Sequence, residues 1–227
     1  MRIGRRTLAM LLTLLLTIGV FAGLTLPASA ADGTWELVTD YSSLDTSAVY
    51  VIAGNIKGGT TWYALKSSEV TSAANLACGS TLTIANNKIT STVADTDKWK
   101  VESTGTSGVY YIKSNQGTYY LQNDGATGST VTTKSGTDAN NQWRIHYAQT
   151  SGSSTVTGLY NVGKTRELGC YNSTTWRCYA SSNYSNLAGA EVVLYKYVAG
   201  TTTTSTLSVS SVADVVITET PYGGLWL

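Results

Sequence analysis

The side chains that could perform acid–base chemistry are few and scattered in this sequence. His146 is the single histidine, whereas such catalysis needs a group that titrates near neutral pH, or a base beside a nucleophile. A glycosidase would instead need two carboxylates about 5 to 10 Å apart. Asp124 and Asp138 lie in turn-like stretches, and Glu102 and Glu167 lie on predicted strands with side chains expected to face water. The sequence therefore predicts no catalytic residue and no enzyme.

Metal ligands are equally sparse. Asp95-Thr96-Asp97 and Asn123-Asp124-Gly125 are the two oxygen-rich stretches, and neither continues into a calcium-binding loop of the EF-hand kind. Both patterns are typical of turns, so we expect no metal site and no cofactor.

Aromatic side chains beside turn residues are the feature most suggestive of binding. Sugar rings stack on flat aromatic faces, and binding residues concentrate in loops and hairpin tips. We predict a ligand-binding site made of Trp62, Tyr63, Tyr171, Trp176, Arg177 and Tyr179. The alternative is that Trp62 and Trp176 pack in the core, since tryptophan is highly buried on average.

The three cysteines are an odd number for an exported chain. If a hairpin turns near Thr174, Cys170 and Cys178 lie opposite each other and could form a disulfide, which needs Cα atoms about 4.4 to 6.8 Å apart. Cys78 would then remain free. The alternative is three reduced, buried thiols.

The first thirty residues have the order of a secretory signal. Arg2, Arg5 and Arg6 precede an uncharged, leucine-rich run over residues 8–26, and Ala28-Ser29-Ala30 offers a small-residue cleavage site. We therefore expect cleavage near Ala30, a secreted or cell-surface location, and no membrane association afterwards. An uncleaved membrane anchor is the alternative.

Removal of this signal changes the charge of the chain. The sequence has 15 Lys and Arg residues and 14 Asp and Glu residues, and three of the basic residues precede Ala30. The mature chain therefore has 12 basic and 14 acidic side chains, a net charge of −2. A nucleic-acid-binding face normally shows as a basic patch, so no nucleic-acid partner is expected.

The composition of the remaining chain favours an all-β fold. Val, Ile, Leu, Trp and Tyr favour strands, Ser, Gly and Asn between them favour turns, and no helical period is sustained after residue 31. We predict one domain over residues 32–198 and a Thr-rich linker over 199–205. Residues 206–227 would be the start of a truncated Ig-like module, or a tail packed on the main domain.

Three stretches of this domain can be aligned as copies of one repeat. Trp99 and Trp143 are 44 residues apart, and Trp143 and Val192 are 49 apart, so each copy is one supersecondary unit. Three four-strand units around a pseudo-threefold axis make a β-trefoil, with a β-sandwich as the alternative. The longer first copy predicts an insertion around residues 69–78. An entry strand at 35–38 precedes twelve predicted strands, near 48–54, 62–66, 80–85, 97–102, 109–114, 118–122, 129–133, 142–147, 156–162, 166–171, 176–180 and 191–197.

The repeat resembles the ricin-type β-trefoil, in which a Gln-x-Trp landmark closes each copy. The slot reads here Asp97-x-Trp99, Asn141-x-Trp143 and, in the third copy, Glu191-x-Val193 or a neighbouring position. In that family an Asp after the mid-repeat Leu binds sugar hydroxyls, and the corresponding residues here are Lys66, Gln122 and Gly169. None is an acid, so the resemblance carries the galactose site to no copy.

A second resemblance is to bacterial secreted β modules appended to larger surface proteins. It is carried by W-x-L-V at residues 35–38, R-C-Y at 177–179 and L-Y-K-Y at 194–197. The resemblance implies an accessory domain and no catalytic residue.

These features together predict a secreted, non-catalytic recognition module that binds a cell-surface glycan. One alternative is a protein-interaction or adhesin module with an extracellular protein partner. The other is a hydrolase inhibitor that inserts the segment 69–78 into a protease cleft.

Overall fold

The computed structural model of the chain describes residues 33–68, 75–124 and 128–200. The predicted signal peptide, the tail over 206–227 and all of the linker except Ala199 and Gly200 lie outside the described residues. The predictions made for those segments therefore stay predictions.

The described residues form one sheet of antiparallel strands with three short 3₁₀-helices. The strands are β1 (Thr34–Leu37), β2 (Tyr50–Asn55), β3 (Trp62–Leu65), β4 (Cys78–Leu82), β5 (Ile84–Ala85), β6 (Lys88–Ile89), β7 (Lys98–Ser103), β8 (Val109–Ser114), β9 (Tyr119–Asp124), β10 (Thr130–Ser135), β11 (Gln142–Ser151), β12 (Ser154–Asn161), β13 (Arg166–Cys170), β14 (Trp176–Tyr179) and β15 (Val192–Val198). The 3₁₀-helices span Asp95–Asp97, Ala139–Asn141 and Ser181–Asn186. Each helix precedes the last strand of one repeat.

Six strands close a barrel. They are the first and fourth strands of each repeat, and they pair in the order β15, β2, β7, β8, β11 and β12. The ring closes where β12 meets β15, since a Cβ built on Gly158 would lie 3.2 Å from Cβ of Val192.

The second and third strands of each repeat form three hairpins, β3–β4, β9–β10 and β13–β14. The hairpins are joined by main-chain hydrogen bonds. Leu76 N–H donates to Val131 O (2.8 Å), Trp176 N–H to Leu76 O (3.0 Å), and Cys178 N–H to Ser129 O (2.9 Å). Six barrel strands and three mutually bonded hairpins make a β-trefoil, which confirms the predicted fold and excludes the β-sandwich.

Two equivalent tryptophans anchor the core of the first two repeats. Trp99 and Trp143 are fully buried, and their indole Nε1–H groups donate to Leu65 O (2.9 Å) and Leu121 O (3.0 Å). The third repeat has the smaller Val192 in this slot. Trp176, which belongs to the same buried cluster, is the third tryptophan of this core.

An additional hairpin accounts for part of the extra length of the first repeat. The strands β5 and β6 are joined by Asn86 and Asn87, which have φ values of +52° and +61°. Two positive φ values in a two-residue turn suit the right-handed twist of a hairpin, and asparagine tolerates them well. Ile89 of this hairpin pairs with the buried Trp35. The prediction of a single insertion around 69–78 was therefore incomplete, because the extra residues of β5 and β6 lie between β4 and β7.

Candidate functional site

The structure places Trp176 in the core and not on the surface. The side chain is 0% exposed, and a Cβ built on Gly54 would lie only 2.6 Å from its ring. On β14 the buried Trp176 and Cys178 alternate with the partly exposed Arg177 and Tyr179. The prediction that Trp176 presents a ring to ligand is wrong, since the strand turns that side chain inward.

The other five predicted residues do not form one surface. Trp62 is half-buried against the cluster that contains Trp35, and Tyr63 packs against the main core. Tyr171 is 44% exposed, with the guanidinium of Arg177 3.8 Å from the centre of its ring. Tyr179 packs against the separate cluster of Val156, Tyr184 and Leu187. A binding role for these five residues stays a prediction.

All three cysteines are free thiols, and the two that lie close together are not the predicted pair. The register of β13 and β14 sets Cys170 opposite Trp176 and Cys178 opposite Leu168. The turn is therefore centred at Ser173, one residue before the predicted position, so Cys170 and Cys178 are not cross-strand neighbours. The thiol near Cys170 is that of Cys78, at a distance of 3.8 Å between the two Sγ atoms.

A polar cleft of about 420 Å³ lies on the second repeat. It is bounded by the hairpin β9–β10 and by the turn that precedes β11. Its lining is rich in carboxylate, amide and hydroxyl groups, from Tyr119, Gln122, Asp124, Thr132, Thr133, Lys134, Ser135, Asp138 and Asn140. This cleft is the candidate functional site.

The strand register explains how the wall of the cleft is built. Gln122 lies opposite Thr132, and Asp124 lies opposite Thr130. Directly opposed residues on one face of an antiparallel pair are close neighbours, so amide, carboxylate and hydroxyl groups share the wall. The Gln122 side chain lines the cleft and is 5% exposed. An amide in this position offers both a donor and an acceptor to a ligand.

The opposite wall is fixed by a capping box at Asp138. Its carboxylate accepts a hydrogen bond from Asn140 N–H (2.7 Å), while the Asn141 side chain accepts one from Asp138 N–H (3.0 Å). Lys134 Nζ lies 2.6 Å from the second carboxylate oxygen of Asp138. This hydrogen bond with Lys134, together with that from Asn140, lowers the pKa of Asp138, and the same pair raises the pKa of Lys134. The ion pair of Asp138 and Lys134 therefore stays charged at neutral pH.

Removal of the Asp138 cap will destabilise the protein moderately. We expect Asp138→Ala to lower the free energy of unfolding by about 1 kcal/mol, since an N-cap side chain contributes about that much. Asp138→Asn should retain most of the stability, because asparagine is an equally good N-cap. Urea unfolding of the two variants checks this expectation, and an equal loss in both would mean that charge and not capping holds the turn.

The third repeat has no equivalent cleft in the part of the chain that the structure describes. Gly169 occupies the position of Gln122 there, and the space above it is filled by Leu187 and Tyr179. The presence of Leu187 follows from the longer 3₁₀-helix of this repeat, which covers the hairpin. The three copies have therefore diverged, and the second keeps an open polar face.

Sequence analysis missed this cleft. The sequence singles out Gln122 only because ricin-type repeats have an aspartate at that position, and it predicts turns at Asp124 and Asp138. The available signal was the clustering of polar groups around one repeat, Gln122 and Asp124 on one strand and Asp138 and Asn140 before the next landmark. Their separation in sequence hid that they face one space.

Within residues 33–68, 75–124 and 128–200, no group of three or more His, Cys, Asp or Glu side chains is arranged to hold a metal ion. No helix within those same ranges has the length and hydropathy needed to cross a membrane.

Comparison with known proteins assigns the chain to no family. No protein-family model matches the chain, and no curated protein matches it. Among solved structures, the chain is similar to a designed threefold-symmetric protein, ThreeFoil, with 16% sequence identity and a TM-score of 0.40. The match covers 63% of this chain and 97% of that one. The trefoil assignment made above rests on the strand pairing of this chain.

Proposed function

We propose that the protein is a secreted, non-catalytic module that binds carbohydrate in the cleft of the second repeat. The observation that carries the proposal is the concentration of unlike polar groups, Gln122, Asp124 and Asp138, around one open space. Binding needs no general acid or base. It is therefore compatible with a chain whose other carboxylates are scattered.

The chemistry of the lining suits a polyhydroxylated ligand. Each sugar hydroxyl both donates and accepts a hydrogen bond, so a sugar site needs acceptors and donors together. Asp124 supplies acceptors only, Lys134 supplies donors only, and Gln122 supplies both. Tyr119 at the edge of the cleft adds an aromatic ring against which a sugar ring could pack.

The size of the cleft supports a small ligand. Pockets for small molecules commonly measure about 300–1,000 Å³, and this cleft measures about 420 Å³. Carboxylates beside a single lysine disfavour a phosphate or sulfate group, since like charges would meet there. The proposal is therefore for a neutral sugar.

The predicted export and the partial resemblance to ricin-type repeats support the same proposal. An exported module meets glycans of cell surfaces and walls, and these would be its partners. The family resemblance adds only the position of Gln122, which is the position where that family places its sugar-binding aspartate. An extracellular protein partner stays the second candidate.

A glycan array followed by calorimetric titration tests the proposal. We expect the purified chain to bind at least one neutral mono- or oligosaccharide on the array. Gln122→Ala removes an amide that both donates and accepts, and Asp124→Asn replaces one acceptor oxygen with a donating NH₂ group. Each should weaken binding of that sugar at least about tenfold. Asp124 is exposed, so its substitution leaves the fold intact.

A matched substitution outside the cleft serves as the control. Asp95 is also exposed, and among the described residues its side chain makes one polar contact, the ion pair with Lys98. Asp95→Asn should leave sugar binding unchanged. An array without any bound glycan, or equal weakening by Asp95→Asn and Asp124→Asn, would sink the carbohydrate proposal.

A further inference from the structure

Two cysteines of different repeats lie side by side in the hairpin region. Cys78 begins β4 in the first repeat and Cys170 ends β13 in the third. Their Sγ atoms are 3.8 Å apart, although 92 positions separate them in the sequence. The main chain holds them together, since Cys78 N–H donates to Thr174 O (2.9 Å) and Ala77 pairs with Thr175.

The two thiols share one hydrogen-bond acceptor and differ in their exposure to solvent. Both Sγ atoms also lie near the same carbonyl, Asn172 O, at 3.4 Å from Cys78 and 3.3 Å from Cys170. Cys170 is buried, whereas Cys78 is only partly buried and can meet a reagent from solvent. The third cysteine, Cys178, is buried.

The electrostatics indicate which thiol reacts first. The hydrogen bond from Cys170 lowers the pKa of Cys78, and the same contact raises the pKa of Cys170. Burial raises the pKa of Cys178 as well. Since the thiolate is the nucleophile in disulfide exchange, Cys78 is the attacking group.

We propose that Cys78 and Cys170 are a modification site, and that a low-molecular-weight disulfide such as oxidised glutathione converts them into an intramolecular disulfide. The Cys78 thiolate attacks one sulfur of oxidised glutathione, and the first glutathione leaves as a thiolate that takes up a proton. The Cys170 sulfur then loses its proton and displaces the second glutathione from Cys78. Two thiols are oxidised, one glutathione disulfide is reduced to two thiols, and the atoms balance.

The second step is favoured by the first. Once Cys78 is bound to glutathione, its sulfur carries no negative charge, and the contact that raised the pKa of Cys170 is lost. The resulting bond would join the hairpins of the first and third repeats and close a loop of more than ninety residues. Closing so long a loop restricts the unfolded chain strongly.

Oxidation of the purified chain with glutathione disulfide, followed by thiol blocking and peptide mapping without reduction, tests the proposal. We expect a loss of the mass of two hydrogen atoms, linked peptides containing Cys78 and Cys170, and one blockable thiol, Cys178, after unfolding. The melting temperature should rise by roughly 5–10 °C on oxidation and fall back after treatment with dithiothreitol.

Single substitutions distinguish this pair from the other pairings. Cys178→Ala should still give the linked peptides, whereas Cys78→Ala should give none, with circular dichroism confirming that both variants are folded. A Cys170–Cys178 link, or three blockable thiols after oxidation, would overturn the proposal. The result is independent of sugar binding, so either proposal can fail alone.

Discussion

Trp176→Ala will lower the free energy of unfolding by about 3–5 kcal/mol, the usual range for removing a buried tryptophan. The ring is wholly buried and packs against Gly54, so its removal leaves a cavity that the neighbouring main chain cannot fill. Trp176 also supplies the large ring that the third repeat lacks in its Val192 slot. Urea denaturation followed by fluorescence or circular dichroism measures the loss.

Trp62→Ala is the matched comparison. Trp62 is also a strand tryptophan beside a turn, but it is half-buried and packs at the margin of a smaller cluster. We expect it to cost less than half as much stability as Trp176→Ala. If Trp176→Ala instead kept full stability and lost only sugar binding, then Trp176 would be a ligand-contacting residue and its assignment to the core would be wrong.

Glu167 sits in an environment that disfavours its charge. It is 1% exposed, and among the described residues neither carboxylate oxygen has a hydrogen-bond partner. Desolvation by burial raises the pKa of this carboxyl from 4.5 to about 8. The charged or titratable groups around it are Tyr160, Tyr184, Cys178 and, near that thiol, Arg166. A small cavity beside it is lined by Gly158, Leu168 and Val192.

The raised pKa makes stability fall as the pH rises. Between about pH 4.5 and pH 8 the folded protein keeps the Glu167 proton that the unfolded chain has released, so higher pH favours unfolding. We expect the free energy of unfolding to fall by about 3–4 kcal/mol between pH 5 and pH 8 from this residue alone, since each unit of pKa shift corresponds to about 1.4 kcal/mol. Above the folded-state pKa this residue adds no further loss.

Glu167→Gln should remove this pH dependence. The amide is nearly isosteric and cannot ionise, so the variant should match the natural protein near pH 5 and exceed its stability near pH 8. Glu191→Gln, at an exposed position, should leave the pH dependence unchanged. The free energy of unfolding is measured by urea unfolding at four pH values. If it falls equally steeply with pH in Glu167→Gln and in the natural protein, the assigned pKa is wrong.

The strand pattern of this fold was predictable because each repeat carries its own landmarks. The aromatic and β-branched runs gave all twelve repeat strands, and β8 was predicted over its observed span, Val109–Ser114. Tertiary contacts moved other boundaries by a few residues, as with the bulge after Ile145 that extends β11 to Ser151. Trp99 and Trp143 were correctly assigned to the core because they recur at the same slot.

Side-chain direction was less predictable where another element covers the sheet. Glu167 was expected to face water, since it alternates with core residues on a strand. The 3₁₀-helix at Ser181–Asn186 brings Tyr184 and Leu187 over that face and places Glu167 in a second apolar layer. The two-residue alternation of a strand shows only which residues share one side of it. It cannot show that a helix lies over the outer side.

The candidate site could not be read from the sequence for a related reason. Gln122 and Asp138 belong to different elements, and only the β9–β10 hairpin and the capped turn before β11 bring them to one cleft. The predicted pairing of Cys170 with Cys178 was wrong because the β13–β14 turn is centred one residue earlier than expected. Moving the centre of a hairpin by one residue changes every opposed pair. The position of Cys78 beside Cys170 depends on contacts between hairpins, which no local pattern encodes.

The pairing of β2 with β15 governs how the molecule reaches its native state. Tyr50 lies opposite Lys196, so the ring closes only when the last strand of the third repeat is available to the first. Each hairpin can form early from neighbouring residues, but ring closure must bring distant segments together before any contact rewards it. Chains with such a high contact order fold in milliseconds to seconds. The closed barrel therefore forms only once β15 has docked on β2, whereas each hairpin pairs residues that are close in the sequence.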